Sequence, residues 1–228
     1  MSGKATLEGL AQAPRIAKWT LEQFEGALGD EVLEAGCGIG SFTEHLVDRR
    51  RLHALDIEGS YVGLVSAKLH AFSCVTVQQA DLQEQETYDR LRDFDSVLSI
   101  NVLEHLDLPE KALAGFSDAL KPGGTALILV PAHPWLFSAA DAALEHRRRY
   151  TEDELRSQLE DAGFVIESIR QFNRLGVFGW FVNKIFRKTT LSPWQTRLFS
   201  LMLPVARIVE RIRFLPGLSL TAVGRKPI

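Results

Sequence analysis

Short apolar runs alternate along the chain with longer segments in which apolar residues recur every three or four positions. The short runs predict buried strands and the longer segments predict amphipathic helices, an alternation typical of a parallel sheet covered by helices. The predicted strands are Glu31–Ala35, Arg51–Asp56, Ser73–Gln78, Asp95–Ile100, Thr125–Val130, Phe164–Arg170 and Ser219–Gly224. We therefore expect an α/β fold: a doubly wound, mostly parallel, seven-stranded sheet with helices on both faces.

Five helices are predicted between and before these strands. Lys121-Pro122-Gly123-Gly124 predicts the end of the fourth helix. Thr151 and Glu154 have the spacing of a capping box that opens the fifth helix, and Gly163 ends it. The predicted helices are Pro14–Ala27, Ser41–Asp48, Ser60–Leu69, Pro109–Leu120 and the segment from Thr151 to Asp161.

The chain is expected to form a single domain over residues 1–228, since it contains no internal repeat and no low-complexity linker. Residues 1–30 carry the leading helix and residues 31–173 the main part of the sheet. Residues 174–217 form a helical insertion between the last two strands, and residues 218–228 form the final strand.

The composition is that of an ordinary globular protein, with 46% hydrophobic and 24% charged residues among 228. Cys37 and Cys74 have neither metal-binding nor redox spacing, so we expect no metal site and a reducing compartment. The first thirty residues lack a signal-peptide pattern, and no apolar run reaches the ~18 residues that span a bilayer. The sequence therefore predicts a cytoplasmic protein.

The charge is unevenly distributed. Residues 1–170 contain 16 Lys and Arg against 28 Asp and Glu, whereas residues 171–228 contain ten against the single Glu210. Such a split favours a surface that meets an anionic partner. The alternative is a basic tail that docks on the acidic body of the same chain.

The most informative stretch is Val32–Gly40, an apolar run that passes into glycines at Gly36, Gly38 and Gly40. Glycine has no side chain, so such a loop lets the backbone approach a ligand closely. The fingerprint of dinucleotide-binding dehydrogenases requires its third glycine three positions after the second, where this chain has Ser41. A Tyr-x-x-x-Lys pair is absent too. A nicotinamide-dependent oxidoreductase or epimerase is therefore the less favoured enzyme class.

Polar residues follow the next strands at their carboxyl ends. Asp56 ends the second strand, twenty residues after Gly36, where a carboxylate can accept both ribose hydroxyls of an adenosine. Asp81 follows the third strand, and Asn101 and Val102 follow the fourth. Ligands of open α/β sheets bind at the carboxyl ends of the strands, so these residues predict one site.

These ordered motifs resemble those of Rossmann-like (class I) S-adenosylmethionine-dependent methyltransferases, with Glu34 as the acid before the glycine loop and Phe94–Leu106 as the fourth motif. The resemblance covers essentially the whole chain, and it points to a bacterial branch similar to the type 11 and type 12 methyltransferase domains. It implies S-adenosyl-L-methionine as the cofactor and residues 31–173 as the cofactor-binding core. The implied cofactor-binding residues are Glu34, Ala35, Gly36, Cys37, Gly38, Gly40, Asp56, Ile57, Asp81, Leu82, Asn101, Val102 and His105.

Specific roles follow from this resemblance. It implies that Asp56 binds the ribose, that Asp81 and Leu82 contact the adenine, and that Asn101 and Val102 line the methionine part of the pocket. His105 lies four residues after Asn101 and would share its face if the intervening turn is helical.

Pro131–Tyr150 should pass over the open end of the cofactor pocket. Methyl transfer requires alignment of the acceptor with the methyl group, and a hydroxyl acceptor also requires a base. We expect His146 to be that base, with Asp141 or Tyr150 orienting it and His133 as a second candidate. Loop packing or helix capping is the alternative role of each.

Three further residues are predicted to bind the acceptor: Trp19 in the leading helix, and Arg148 and Arg149. An arginine can bind a phosphate or a carboxylate through two parallel hydrogen bonds. The alternative is that the two arginines pair with the acidic body.

The insertion is apolar and aromatic after Arg174, basic at Arg187 and Lys188, and from Gln195 to Phe214 it interleaves arginines with apolar residues. Basic amphipathic helices can lie on an anionic bilayer, and residues 174–216 could equally form a lid over an apolar acceptor or a homodimer contact. No RNA-binding motif accompanies the charge, so no nucleic-acid partner is expected.

Together these features predict a methyltransferase that acts on an oxygen of a small, lipid-linked or glycan-linked acceptor in the cytoplasm, with membrane association left open. The non-enzyme alternative is a catalytically silent cofactor-binding fold that serves as an adaptor at a membrane.

Overall fold

The computed structural model describes residues 14–185, 193–212 and 214–228. At its centre lies a seven-stranded sheet in the order β3-β2-β1-β4-β5-β7-β6. The strands β1 to β5 are parallel, and β7 is antiparallel to both of its neighbours, β5 and β6. The strands are β1 (Glu31–Ala35), β2 (Arg51–Asp56), β3 (Val75–Gln79), β4 (Phe94–Ile100), β5 (Leu120–Pro131), β6 (Val165–Phe172) and β7 (Ser219–Arg225).

The last three helices follow one another between β6 and β7, which confirms the predicted helical insertion. No helix in the described part of the chain is both long enough and apolar enough to cross a bilayer. Arg187, Lys188 and Arg213 of the predicted basic set, and residues 1–13 of the leading segment, lie outside the described residues. The helices are α1 (Pro14–Leu21), α2 (Gly59–Leu69), α3 (Pro109–Ala119), α4 (Ala139–Ala143), α5 (Glu152–Asp161), α6 (Arg174–Ile185), α7 (Pro193–Leu201) and α8 (Leu203–Val209).

The sheet has a hydrophobic core on each face because successive strand residues point to opposite sides. Leu33 of β1 packs with Phe116 of α3 in one core, whereas the adjacent Val32 packs with Trp19 of α1 and Ala206 of α8 in the other. Helices therefore cover both faces, and the predicted α/β, doubly wound fold is confirmed.

The predicted helix Ser41–Asp48 is wrong, since only a 3₁₀ turn forms there, at Thr43–His45. In a 3₁₀ turn, residues three apart lie on the same side of the chain. Thr43 and Leu46 are spaced in this way and are 0% and 1% exposed. The tighter turn thus buries both side chains within the short connection to β2.

Two other boundaries differ from the prediction by more than two residues. The leading helix ends at Leu21 and continues only as a 3₁₀ turn, Glu22–Phe24. Strand β5 begins at Leu120, five residues before the predicted start, because Leu120 pairs with Phe94.

The strand order fixes where a ligand can bind. From β1 the sheet continues to β2 and β3 on one side, and from β4 it continues to β5 on the other. The carboxyl ends of β1 and β4 therefore lie side by side at the point where the strand order reverses, which is the usual ligand crevice of such sheets.

Candidate active site

The glycine loop after β1 is held in a conformation that suits glycine. Gly36, Gly38 and Gly40 have φ values of 85°, 52° and 87°, a region in which a Cβ atom is strained. The amides of Gly36 and Cys37 both donate to the carbonyl of Leu55, each at 2.8 Å. The loop is therefore fixed to the end of β2, and no side chain covers its backbone at the three glycines.

Asp56 lies where this loop meets the end of β2. Its Oδ2 accepts a hydrogen bond from the amide of Gly38 at 2.7 Å, and its Oδ1 accepts one from the amide of Glu58 at 2.9 Å. Burial raises the pKa of Asp56, and these two amide bonds act against that rise. Each oxygen keeps a lone pair, so the fixed carboxylate can still accept hydroxyl donors.

Ile57 provides an apolar surface next to this carboxylate, because its side chain is 64% exposed. An exposed aliphatic side chain beside a fixed acid can pack against a nucleoside ring while the acid holds the ribose. Asp81 follows β3, the strand that pairs with β2. Its Oδ1 accepts a hydrogen bond from the backbone amide of Gln83 at 2.9 Å.

Leu82 differs from its expected role. Its side chain is 5% exposed and packs in the main core, so it cannot cover an adenine ring as the resemblance implied. Only its backbone remains for that contact.

Glu34 is a second acid beside the glycine loop, and it is buried at the end of β1 next to Ala35. Burial raises the pKa of Glu34 to about 7, and the charge of Asp56 acts in the same direction. The nearby hydroxyl of Thr43 acts against this rise in pKa, but within the described residues Oε2 of Glu34 makes no hydrogen bond of normal geometry. A buried unpaired oxygen costs free energy, which a ligand that brings an N–H donor can recover.

Cys37 is buried between these groups, and burial raises the pKa of its thiol. The thiol is therefore protonated near neutral pH and serves as a small apolar residue.

The loop after β4 closes the other side of the crevice. Asn101 has a φ of 54°, and its backbone N–H donates to the carbonyl of Leu129 at 2.8 Å. The following turn is 3₁₀ from Leu103 to His105. Asn101 and His105 therefore do not share an α-helical face, and His105 instead lies against His146, with ring centroids 4.8 Å apart.

His146 and Asp141 form the pair that the sequence predicted. Nδ1 of His146 lies 3.0 Å from Oδ1 of Asp141. Burial alone would raise the pKa of Asp141, but hydrogen bonds from His146 and Arg149 outweigh it and hold that pKa below its usual range. Asp141 is thus an anion that can accept a hydrogen bond from Nδ1 of His146, and the contact leaves Nε2 as the ring nitrogen that does not bind Asp141.

Tyr150 has a different role from the predicted one. It is buried, and its hydroxyl donates to the carbonyl of Leu103 at 3.2 Å, so it does not orient His146. His133 is also engaged: its Nε2 lies 3.1 Å from Oε1 of Gln171, and burial lowers its pKa.

Arg149 and Trp19 are parts of the folded interior. Arg149 is 4% exposed; its Nε donates to Asp141 at 2.8 Å, and its guanidinium lies 4.7 Å from the ring centroid of Trp180. Trp19 is 2% exposed and packs against Phe172 at a centroid distance of 4.4 Å. Neither is available to an acceptor, and both predictions of acceptor binding are corrected.

Arg148 remains partly exposed. It donates to the carbonyls of Leu106 and Asp107 at 3.1 and 3.3 Å. It therefore joins the loop after β4 to the segment that carries His146.

Glu104 is the site residue that the sequence analysis missed. Its side chain is fully buried, and burial raises its pKa to about 8. Its Oε1 lies 3.9 Å from Nε2 of His146. A usable signal was present, because an acid that follows Val102 and Leu103, four residues after the end of an apolar strand, is unusual.

The family model for a methyltransferase domain matches residues 10–169, about two thirds of the chain. The chain belongs to this family. The match and the strand order confirm the resemblance to class I S-adenosylmethionine-dependent methyltransferases. The insertion lies outside the matched residues.

Individual relatives agree with this assignment. The methyltransferase domain is 32% identical over 153 residues to a probable S-adenosylmethionine-dependent methyltransferase of Mycolicibacterium smegmatis, covering 66% of this chain and 56% of that protein. It is 30% identical over 112 residues to a ubiquinone biosynthesis O-methyltransferase of Aeromonas salmonicida, covering 48% of this chain and 47% of that protein. The chain thus spans about half the length of these curated relatives.

A solved structure has the same fold. The N-methyltransferase NodS of Bradyrhizobium japonicum, in complex with S-adenosylhomocysteine, superposes with a TM-score of 0.61 over 94% of this chain and 87% of that one. The sequence identity is 16%, so this likeness concerns the fold.

Proposed function

We propose that this methyltransferase domain transfers the methyl group of S-adenosyl-L-methionine to a hydroxyl oxygen of a small, lipid-linked or glycan-linked acceptor. The observation that carries the proposal is the fixed carboxylate of Asp56, bound by the amide of Gly38 at the switch point of the sheet. A bare glycine backbone beside a fixed acid suits an adenosine ribose.

The cofactor-binding residues fit this ligand chemically. Asp56 would hold the ribose, and Ile57 would pack on the nucleoside. Oε2 of Glu34 would accept a hydrogen bond from an N–H donor in the methionine part of the cofactor. The bound cofactor supplies a methyl group on a positively charged sulfur. The protein must align the acceptor with that methyl group and exclude water.

Oxygen is the favoured acceptor atom on two grounds. A relative in the comparison is named as an O-methyltransferase. In addition, a hydroxyl must lose its proton during transfer, and His146, with its Nδ1 fixed on Asp141, has Nε2 available to assist that loss, either as a base or as a ligand of an ion that acidifies the hydroxyl. We assign control of the acceptor's proton to this pair.

The position of α6 favours the interpretation of the insertion as a lid on the acceptor side, by which we mean the side of the site that carries Asp141 and His146. Val177 and Trp180 of α6 pack on Leu136 and Ala140, in the segment that leads to His146. The opposite side of α6 leaves Phe178, Phe181, Val182 and Ile185 between 46% and 62% exposed. We assign this exposed face to the apolar part of a lipid-linked acceptor, with membrane contact and a homodimer as the alternatives that the test separates.

Methyl transfer is tested with S-adenosylmethionine labelled on its methyl group and a panel of matched alcohol and amine acceptors, soluble and lipid-linked. Label is expected in the alcohols. Label confined to amines, or no label in any acceptor despite cofactor binding, would contradict the proposal.

The lid is tested with Phe178→Ser and Phe181→Ser. We expect a higher KM for lipid-linked acceptors and an unchanged KM for soluble ones. If the face instead mediates dimerisation or membrane binding, the variants change the sedimentation behaviour or liposome flotation and leave both KM values alone.

A further inference from the structure

Glu104 and His105, in the turn after β4, converge with His146, which lies between α4 and α5. One possible ligand atom of each lies within 4.8 Å of those of the other two. Around a zinc-sized ion with bonds of about 2.0–2.2 Å, ligand atoms lie ~3–4 Å apart. Small side-chain shifts would thus place all three on one ion.

Glu104 gives this cluster its strongest indication of a ligand. The side chain is 0% exposed, and no other residue in the described part of the chain forms a hydrogen bond with either carboxylate oxygen. A buried carboxyl group without partners is costly to maintain and is normally paired or bound to a metal. Its Oε1 faces Nε2 of His146 at 3.9 Å.

His146 has the arrangement of a metal-binding histidine. Such residues donate one ring N–H to a carboxylate, which fixes the tautomer and turns the other nitrogen toward the ion. Nδ1 of His146 lies 3.0 Å from Asp141, and Asp141 is itself held by Arg149. Nε2 is therefore the ring nitrogen that points toward the buried carboxyl group.

We infer that Glu104, His105 and His146 bind one divalent first-row transition-metal ion of the zinc type. Two imidazoles and one carboxylate suit such an ion better than Mg²⁺ or Ca²⁺, which prefer oxygen ligands. Three protein ligands leave a coordination position open, as in catalytic sites. No metal was predicted from the sequence, because cysteine spacing gives no sign of this site.

This inference rests on the proposed function and specifies how the acceptor loses its proton. With an ion held by Glu104, His105 and His146, an acceptor hydroxyl at the open position would have a lower pKa and would give its proton to water. The oxygen then forms a bond to the methyl carbon while the carbon–sulfur bond breaks, leaving S-adenosylhomocysteine. His146 acts here as a ligand, since Nε2 cannot bind the ion and accept a proton at once.

The test uses the full chain stripped with a chelator and titrated with Zn²⁺ and Co²⁺ by calorimetry. We expect one ion per chain, a visible Co²⁺ absorption band and a rise in the unfolding temperature on loading. The variants Glu104→Gln, His105→Ala and His146→Ala are each expected to weaken binding about tenfold or more. His45→Ala, at an exposed histidine outside the cluster, is the matched control and should bind like the parent.

Folding of each variant is checked by circular dichroism and by binding of S-adenosylhomocysteine. No ion binding by the parent chain, or binding that all three variants retain, overturns the inference. Full methyl transfer by the stripped enzyme also overturns it and makes Nε2 of His146 a base. Ion binding without any S-adenosylhomocysteine binding contradicts the proposed function instead, so the two failures are distinguishable.

Discussion

Gly36 and Val102 interlock the two loops that form the crevice: a Cβ atom on Gly36 would lie 2.3 Å from Cγ2 of Val102. Gly36 also has a φ of 85°. We expect Gly36→Ala to destabilise the fold by about 3 kcal/mol, through backbone strain and overpacking together. Urea unfolding followed by circular dichroism measures this change.

Two controls separate these causes. Gly63→Ala should be neutral or slightly stabilising, because Gly63 lies in α2 with no atom within 4 Å of an added Cβ. Adding Val102→Ala to Gly36→Ala should recover part of the loss by removing the contact. A Gly36→Ala chain as stable as the Gly63→Ala chain would contradict the described loop.

Glu34 should make stability depend on pH. Its pKa is raised from 4.5 to about 7 in the folded chain, so the folded state holds a proton that the unfolded state has lost between these values. The free energy of unfolding therefore falls as pH rises across this window. Glu34→Gln should be more stable than the parent above pH ~7, by on the order of 2–3 kcal/mol.

Urea unfolding of both chains without ligand, from pH 4.5 to 8, tests this point. Below the window the parent carries a neutral Glu34, so the two chains should unfold alike. A stability difference that stays constant over the whole range would show that Glu34 does not titrate there.

Arg149 and Arg148 should respond differently to truncation. Arg149→Ala leaves Asp141 buried without its ion pair, and we expect a loss of about 3–5 kcal/mol in stability. Arg148→Ala removes only hydrogen bonds to two carbonyls, for a loss of about 1 kcal/mol. Equal unfolding midpoints for these two variants would contradict the buried position of Arg149.

The arrangement of the glycine loop beside Asp56 was predictable because its signals are local. The alternate glycines and the acid at the end of β2 occupy fixed places relative to strand ends, and the sheet brings strand ends together. The fold was predictable for the same reason. The short apolar runs predict all seven strands, and the long segment between the last two predicts the helical insertion.

The acceptor side was less predictable because it depends on burial, which sequence spacing does not reveal. Arg149 and Trp19 have side chains suited to ligand binding, yet tertiary packing places both in the interior. Tyr150 is near His146 in the chain, but its hydroxyl is used by the carbonyl of Leu103. Glu104 has a weak signal in the sequence, but its burial without a hydrogen bond from another residue is shown only by the structure.

Calorimetric titration of S-adenosylhomocysteine into the full chain, its Asp56→Asn variant and an Asp153→Asn control decides whether the glycine loop and Asp56 bind an adenosine. Asp153 is an exposed acid of α5, so its variant should bind like the parent. Loss of a charged ribose acceptor should weaken binding by about 10- to 100-fold in Asp56→Asn. A parent chain that does not bind the nucleoside, or an Asp56→Asn chain with unchanged affinity, would contradict the assignment.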